Sequence, residues 1–331
     1  MNGTRYWTFL AAVSCALAAS AAGWYAKPGT TDWTDKSRYY NNDSKPESQK
    51  ALPAPGDTLY LSGTNGKFYL DASGDKASLA LVNTMSYVMP ERAEAQLYVT
   101  VSGTDEVEFK PGITDRNNSG RLGGLVVKQG TGTLKLVNTV NSAGLSESYL
   151  MNFDIQAGVV KFPQGLSNAS LRAANVKVAA GAKLYLMTIA DNAESTSSSG
   201  TTYMNSLSGA GDVIYSYPGA TTVRNLCIET DSTFDGVLTG PVVLTLNKPN
   251  ARVNLTNPNS TFSGEGSGIS IIGEGSHIGL ESLCKDHDVS VPPTTPTAMG
   301  LNSLLRFYAK ETGVVYLGNG GETFYAGLNA Q

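Results

Sequence analysis

Residues Gly123–Phe162 run GGLVVKQGTGTLKLVNTVNSAGLSESYLMNFDIQAGVVKF. Apolar residues recur here with period two in three short runs, Leu125–Lys128, Leu134–Leu136 and Val159–Phe162. Between the runs stand Gly130, Gly132, Asn138, Asn141, Gly144 and Gly158, residues that tolerate the backbone of tight turns. Short β-branched runs divided by Gly and Asn specify strands that turn corners, whereas a helix would need apolar residues three and four apart.

A related stretch lies downstream: GPVVLTLNK at Gly240–Lys248, ARVNL at Ala251–Leu255, then Asn257, Ser263-Gly264 and Ile272–Gly275. In this alignment Lys248 answers Lys128, Leu255 answers Leu136, Asn257 answers Asn138 and Gly275 answers Gly158, at an offset near about 119 residues. Each copy is too long for one coil of a solenoid, so each spans several, and self-similarity of this kind signals a repeat architecture.

The first block, with its order G-x-L-x-K-x-G-x-G-x-L-x-L, an Asn-rich turn, S-x-G and a closing apolar run, resembles the autotransporter-associated β-strand repeat of bacterial passenger domains. The second departs from that pattern, because Pro249-Asn250-Ala251 replaces the G-x-G and its corner must be built differently. The resemblance extends to the start of the exported part. Trp24, Trp33 beside Asp32, Tyr40 where a Trp is usual, and PAPGDT at Pro53–Thr58 match the opening that precedes the first coil in that family. By physical role this segment is a cap, since a solenoid's first coil exposes an unpaired edge and an apolar end. The polar run Lys45–Lys50 would suit a linker, but three aromatics argue for burial against the first coil, and carbohydrate stacking is the weaker use for them.

Across the whole chain, 331 residues with 36 Gly, 16% charged residues and a net charge of −4 describe a β-rich, sparsely charged protein. Mild acidity, and no cluster of Lys or Arg interleaved with aromatics, argue against a nucleic-acid partner. The first 22 residues have the layout of a secretory signal: Arg5 as the one basic residue, an apolar stretch over Tyr6–Ala18 and an A-x-A site at Ala19-Ser20-Ala21. That stretch is short for a membrane span, and Cys15 lacks the preceding Leu of a lipoprotein site. Export would leave Cys227 and Cys284, which could form a disulfide in an oxidising compartment or stay as buried thiols.

Further strand-like runs follow at Phe68–Leu70, Leu79–Val82, Gln96–Val101, Val107–Lys110, Asn175–Val178, Lys183–Met187, Asp212–Tyr215 and Asn225–Ile228. The first helical pattern is the short Leu301–Ala309. Two all-β architectures fit: a β-sandwich and a right-handed parallel β-helix. The sandwich needs two-residue hairpins, and Asn65-Gly66, Asp235-Gly236 and Asn319-Gly320 are the clear cases. The repeat resemblance favours the β-helix, with roughly 20–25 residues per coil, about a dozen coils, Val, Leu and Ile inside, and Lys, Thr, Asn and Ser wet outside. The expected partition is signal peptide 1–22, cap 23–57, β-helix 58–290 with related blocks at 123–162 and 240–280, a Pro/Thr linker 291–300 and a short C-terminal β segment 301–331. In the resembled family a membrane barrel of a few hundred residues often follows the passenger; this chain is too short to hold one after its repeats.

β-helices can be polysaccharide lyases or hydrolases, whose sites cluster carboxylates, often with Ca²⁺, beside Arg or Lys. The carboxylate groups here are Asp105 with Glu106 and Glu108, Asp191 with Glu194, and Asp286 with Asp288. Alternation puts Glu106 and Glu108 on one outward strand face, most simply a solvated one. His277 lies in a Gly-rich corner and His287 between two aspartates; two separate ligands make no metal site. No nucleophile elbow or phosphate loop occurs. The sequence therefore points to a non-enzymatic, exported surface or secreted rod of autotransporter-passenger type, with no cofactor or metal and with a cell-surface glycan or protein as its partner. The polar loops Asp115–Arg121, Asn192–Thr202 and Lys285–Met299 are the places to test for contacts, with passive connection as the other reading of them. The alternative is a carbohydrate-active β-helix enzyme, which requires three or more carboxylates and an Arg converging on one face.

Overall fold

The structure, a computed structural model, describes residues 23–41, 51–61, 66–85, 87–90, 95–109, 124–136, 152–163, 171–188, 201–215, 224–257, 260–262, 268–271, 277–279, 304–307, 314–316 and 328–330. Its strands stack in parallel as a β-solenoid, and the chain visits three faces in turn. The middle face starts with Lys67–Asp71, Gln96–Thr100, Leu125–Gln129 and Asn152–Ile155. It continues through the second halves of Leu171–Val178 and Thr201–Gly209 to Ser232–Phe234, Arg252–Leu255, His277–Gly279 and Val314–Tyr316. The third face stacks Glu106–Phe109, Thr133–Leu136, Val159–Pro163, Lys183–Thr188, Asp212–Tyr215, Leu238–Gly240 and Thr261–Phe262. Strands preceding the middle face in their coils make the first face. These are Gly23–Ala26, Thr58–Leu61 and Tyr87–Pro90 near the start. Later come the first halves of Leu171–Val178 and Thr201–Gly209, then Arg224–Ile228, Val242–Leu246, Gly268–Ile271, Leu304–Phe307 and Leu328–Ala330.

This is the parallel β-helix that the short runs and Gly corners specify, and the sandwich alternative falls. Among the described residues the one antiparallel pairing joins Gly23–Ala26 to Tyr39–Asn41. Period-two alternation explains the interior. On the middle face Phe68, Leu97, Val126, Phe153, Val176 and Leu207 follow one another in register and are all buried. Each such side chain contributes about 1.5–3 kcal/mol by leaving water, and the column supplies the next coil's floor.

Corners between the middle and third faces need residues without a Cβ. Gly130 (φ +75°) lies over the carbonyl of Val101, and Gly158 (φ +69°) over those of Gly130 and Gly132, so a side chain at either would strike backbone of the coil below. Where Pro249-Asn250-Ala251 stands in place of the glycines, Asn250 itself takes the left-handed conformation (φ +60°), the different corner that the sequence requires. The corner between the first and middle faces is polar. Asn152 Oδ1 accepts from the backbone N–H and Nδ2 of Asn175, and Asn175 Oδ1 accepts from Asn205 Nδ2 and Ser206 Oγ.

Four sequence expectations need correction. Leu79–Val82 is not a strand but the end of an α-helix, Lys76–Val82, capped by the Asp75 side chain accepting from Ser78 N–H. Its buried residues Ser78, Leu79 and Val82 follow helical spacing, a period that so short an apolar run does not distinguish from a strand's. Leu301–Ala309 holds no helix among its described residues; Leu304–Phe307 is a strand, because the parallel edge of Gly268–Ile271 lies beside it. Thr201 and Thr202 open a strand and do not belong to the preceding loop. Finally, the two related blocks do not occupy equivalent places. Lys128 points inward from a middle-face strand, whereas Lys248 lies exposed in a turn after a first-face strand. Followed through Ile155, Val178, Gly209 and Phe234, the register puts Lys128 in the same column as Leu255.

The N-terminal residues close the open end by meeting each face separately. The first face ends in the antiparallel Tyr39–Asn41 strand. The middle face ends at Lys67–Asp71, where Gly29 N–H donates to Lys67 O and Tyr69 N–H donates to Thr30 O. Trp33, fully buried against Phe68, adds an Nε1–H bond to Tyr69 O (2.7 Å). The third face ends at Glu106–Phe109, where Asn83 at the helix C-terminus donates from Nδ2 to Glu108 O. Asp57, from the PAPGDT stretch, is buried and accepts from Trp24 Nε1 (2.7 Å) and from Ala54 N–H (2.7 Å). Described N-terminal residues thus meet the outermost strand of each face, where it would otherwise offer bare backbone groups.

Candidate functional site

The outward faces carry the charge. Glu106 and Glu108 do share one exposed strand face, as alternation requires, but each faces a lysine: Glu106 pairs with Lys161 (2.5 Å) and Glu108 with Lys135 (3.3 Å). The parallel register places Glu108 beside Lys135 and Lys135 beside Lys161, while Lys161 reaches diagonally across two coils to Glu106. Further along the same face Lys183 approaches Asp212 (3.8 Å). Such half-exposed pairs are screened by solvent and are worth at most about 1 kcal/mol each. They leave this patch of alternating sign, without the surplus of carboxylates that a glycosidic acid/base pair or a Ca²⁺ site needs. Asp105 is exposed at the preceding turn.

Among the described residues no group of three or more His, Cys, Asp or Glu is placed to hold a metal ion. Asp191, Glu194, Asp286, His287 and Asp288 lie outside the described residues, as do loop 115–121, residues 192–200 and loop 285–299. His277 opens the middle-face strand His277–Gly279, in register with Arg252. Cys227 is a buried free thiol on the first face; Cys284 lies outside the described residues. Burial, with Glu229 nearby, pushes the Cys227 thiol up to about 11, so at neutral pH it is a weak nucleophile.

Lys128 departs from the expectation that lysines stay wet outside. Its side chain is 1% exposed and enters the core between Val99 and Ile155, its register neighbours on adjoining coils. The ammonium ends at the Gly130 corner and donates to the carbonyls of Gln129 (2.8 Å), Gly130 (2.8 Å) and Ala157 (3.2 Å). Burial draws its pKa down to about 8. The sequence signal is its place in L-V-V-K, where period two from Val126 points position 128 inward. A second buried polar group, Tyr215, reaches across to Asn225 O (3.4 Å), and burial raises its hydroxyl's pKa above the ordinary tyrosine range. Both side chains are shielded from solvent, Lys128 at 1% and Tyr215 at 3% exposed.

Tyrosines form strips outside the first coils. Tyr25 stacks on Tyr40 (5.3 Å) and on Tyr60 (5.1 Å), and Tyr69 on Tyr98 (5.1 Å). Rings stacked at strand spacing spend flat faces on one another, and the Tyr98 hydroxyl donates to Gln96 Oε1 (2.7 Å). No described helix is long and apolar enough to cross a membrane. Comparison of the chain with family models, with curated proteins and with solved structures gives no match.

Proposed function

We propose that the chain is an exported bacterial surface or secreted rod of the autotransporter-passenger type, which acts by presenting loops and strips on a rigid scaffold and not by catalysis. The observation that carries this reading is the parallel β-solenoid with a capped N-terminal end, whose exposed third-face carboxylates Glu106 and Glu108 are matched by lysines from the next two coils. The signal-like first 22 residues and the resemblance of Gly123–Phe162 to passenger repeats support export. A carbohydrate-active β-helix enzyme would instead hold unpaired carboxylates together on one face.

The test is expression of the full chain in a Gram-negative host, with fractionation, N-terminal sequencing and two functional assays. A mature protein starting near Gly23 outside the cytoplasm, binding to immobilised cell-surface glycan or protein and releasing no sugar from a polysaccharide panel, is the expected result. Retention in the cytoplasm with an intact N-terminus would overturn the export reading; release of oligosaccharides would overturn the non-catalytic one.

A further inference from the structure

Lys128 stands in a column otherwise built from residues without charge. In register order the column runs Leu70, Val99, Lys128, Ile155, Val178, Gly209, Phe234 and Leu255. An apolar side chain would fit between Val99 and Ile155 at least as well, so packing alone does not call for a lysine there. Its acceptors are specific to the place. Gln129 O and Gly130 O belong to its own corner and Ala157 O to the corner of the next coil, so one ammonium ties two coils together. Gln129 O also accepts from Val101 N–H (3.0 Å) in the coil below, so three successive corners meet around this group.

A solenoid core has a weakness that this arrangement answers. Sliding one strand by a single residue against its neighbour turns its apolar side chains outward, which burial forbids, but sliding by two keeps inside and outside intact. Columns of Val, Leu, Ile and Phe distinguish poorly between the native register and a two-residue slip, because any of these side chains can replace another at modest cost. A buried ammonium distinguishes sharply. Slipped by two against Asn152–Ile155, it would keep Gln129 O and Gly130 O but lose Ala157 O, leaving one N–H of a buried ammonium without an acceptor among apolar side chains, which is unfavourable.

We propose that Lys128 is a register lock: its ammonium, held by the carbonyls of Gln129, Gly130 and Ala157, admits one alignment of Leu125–Gln129 on Asn152–Ile155 and rejects the two-residue slip. The residue acts on which coil alignment forms, and an apolar replacement costs specificity before it costs the fold.

Disulfide trapping in the full chain reads the register directly. Gln129 and Gln156 are outward neighbours on adjoining coils, with side chains hydrogen-bonded at 3.0 Å, so Gln129→Cys with Gln156→Cys reports the native alignment. Gln129→Cys with Asp154→Cys reports the two-residue slip, since in the native alignment that pair is diagonal and beyond disulfide reach. Each pair is refolded under a mild oxidant and mapped by peptide mass spectrometry, with Lys128 present, with Lys128→Met and with Lys128→Leu. The expected result is that only the native pair closes when Lys128 is present, and that the slip pair closes at least about tenfold more often in an apolar variant. Equal exclusion of the slip pair in all three backgrounds would overturn the proposal. Failure of both apolar variants to fold would overturn it too, because the residue would then support the fold itself and not its register.

Discussion

Truncating Trp33 to alanine should unfasten one end of the solenoid and leave the rest in place. Trp33 is fully buried, packs on Phe68 and gives its indole N–H to Tyr69 O, while its backbone N–H meets Ser78 Oγ (3.0 Å) and its carbonyl accepts Tyr39 O–H (2.6 Å). A buried Trp-to-Ala change typically costs about 3–5 kcal/mol through lost contacts and the cavity left behind. The indole bond to Tyr69 O adds about 0.5–1.5 kcal/mol, not strictly additive. At about 1.4 kcal/mol per factor of ten, the local opening equilibrium should shift by roughly two and a half to four and a half orders of magnitude. Stability in a stacked solenoid is close to a sum of coil and nearest-neighbour terms, so the loss should fall on the first coils. Amide hydrogen exchange measures this. The Gly29 and Tyr69 amides, which bond to Lys67 O and Thr30 O, should lose about 300- to 30,000-fold protection, while those of Val176 and Leu207 stay within about threefold. The freed Lys67–Asp71 edge should also promote self-association, visible by light scattering. A uniform loss of protection along the chain would refute the nearest-neighbour reasoning, and unchanged protection at Gly29 and Tyr69 would refute the capping role of Trp33.

Three further outcomes follow from individual residues. Gly158→Ala should destabilise by at least about 2 kcal/mol, since its Cβ would meet the carbonyls of Gly130 and Gly132 at a positive φ, whereas Gly181→Ala, also at positive φ but facing open space, should cost only about 1 kcal/mol; paired denaturant melts measure the difference. Cys227, buried with its pKa near 11, should resist a thiol reagent at pH 8 in the folded protein and react completely after denaturation. For Lys128, the folded state gives up its proton near pH 8 while the unfolded chain holds it to the ordinary lysine value of 10.5, so the unfolded chain binds more protons between those limits. Stability should therefore rise with pH through that window relative to Lys128→Met, in denaturant melts at pH 7.5, 9 and 10.5; a constant difference between the two proteins would contradict it.

Much of the architecture is legible because period-two alternation and corner glycines are local signals. LVVK, LKL and VVKF fall on strands, and Gly130, Gly132 and Gly158 on corners, just where those residue types relieve backbone crowding. What escaped the sequence is decided between distant segments. KASLALV reads equally as a strand end or a helix turn, and the choice is made by Asp75 capping and by the room that Leu79 and Val82 fill beneath the first coil. LLRF satisfies either period until the edge of Gly268–Ile271 lies beside it. The charge of Lys128 argues for solvent, whereas its own strand's alternation points it inward, and the alternation prevails. On the candidate site, the outward placing of Glu106 and Glu108 was readable; their lysine partners were not, because Lys161 lies 55 residues from Glu106 and meets it through stacking alone.

The two related blocks show what self-similarity can and cannot specify in this fold. Both contain an apolar run, a turn and a second apolar run, and both form two strands on successive faces, but the later copy begins one face earlier in its coil. Nothing in the stacking forbids this. A strand of a parallel solenoid needs an apolar alternate row below it and above it, and every face offers the same row. The demand that differs from place to place is made at the corners. Gly130 and Gly158 stack over carbonyls of the preceding coils, and Lys128 is tied to the same corner. In the later copy Lys248 has left the interior and approaches Glu229 (3.9 Å) outside, while Asn250 makes the turn. Glycine corner and inward lysine are thus present together in one block and absent together in the other, as expected if the ammonium's place depends on carbonyls that only a tight glycine corner turns inward.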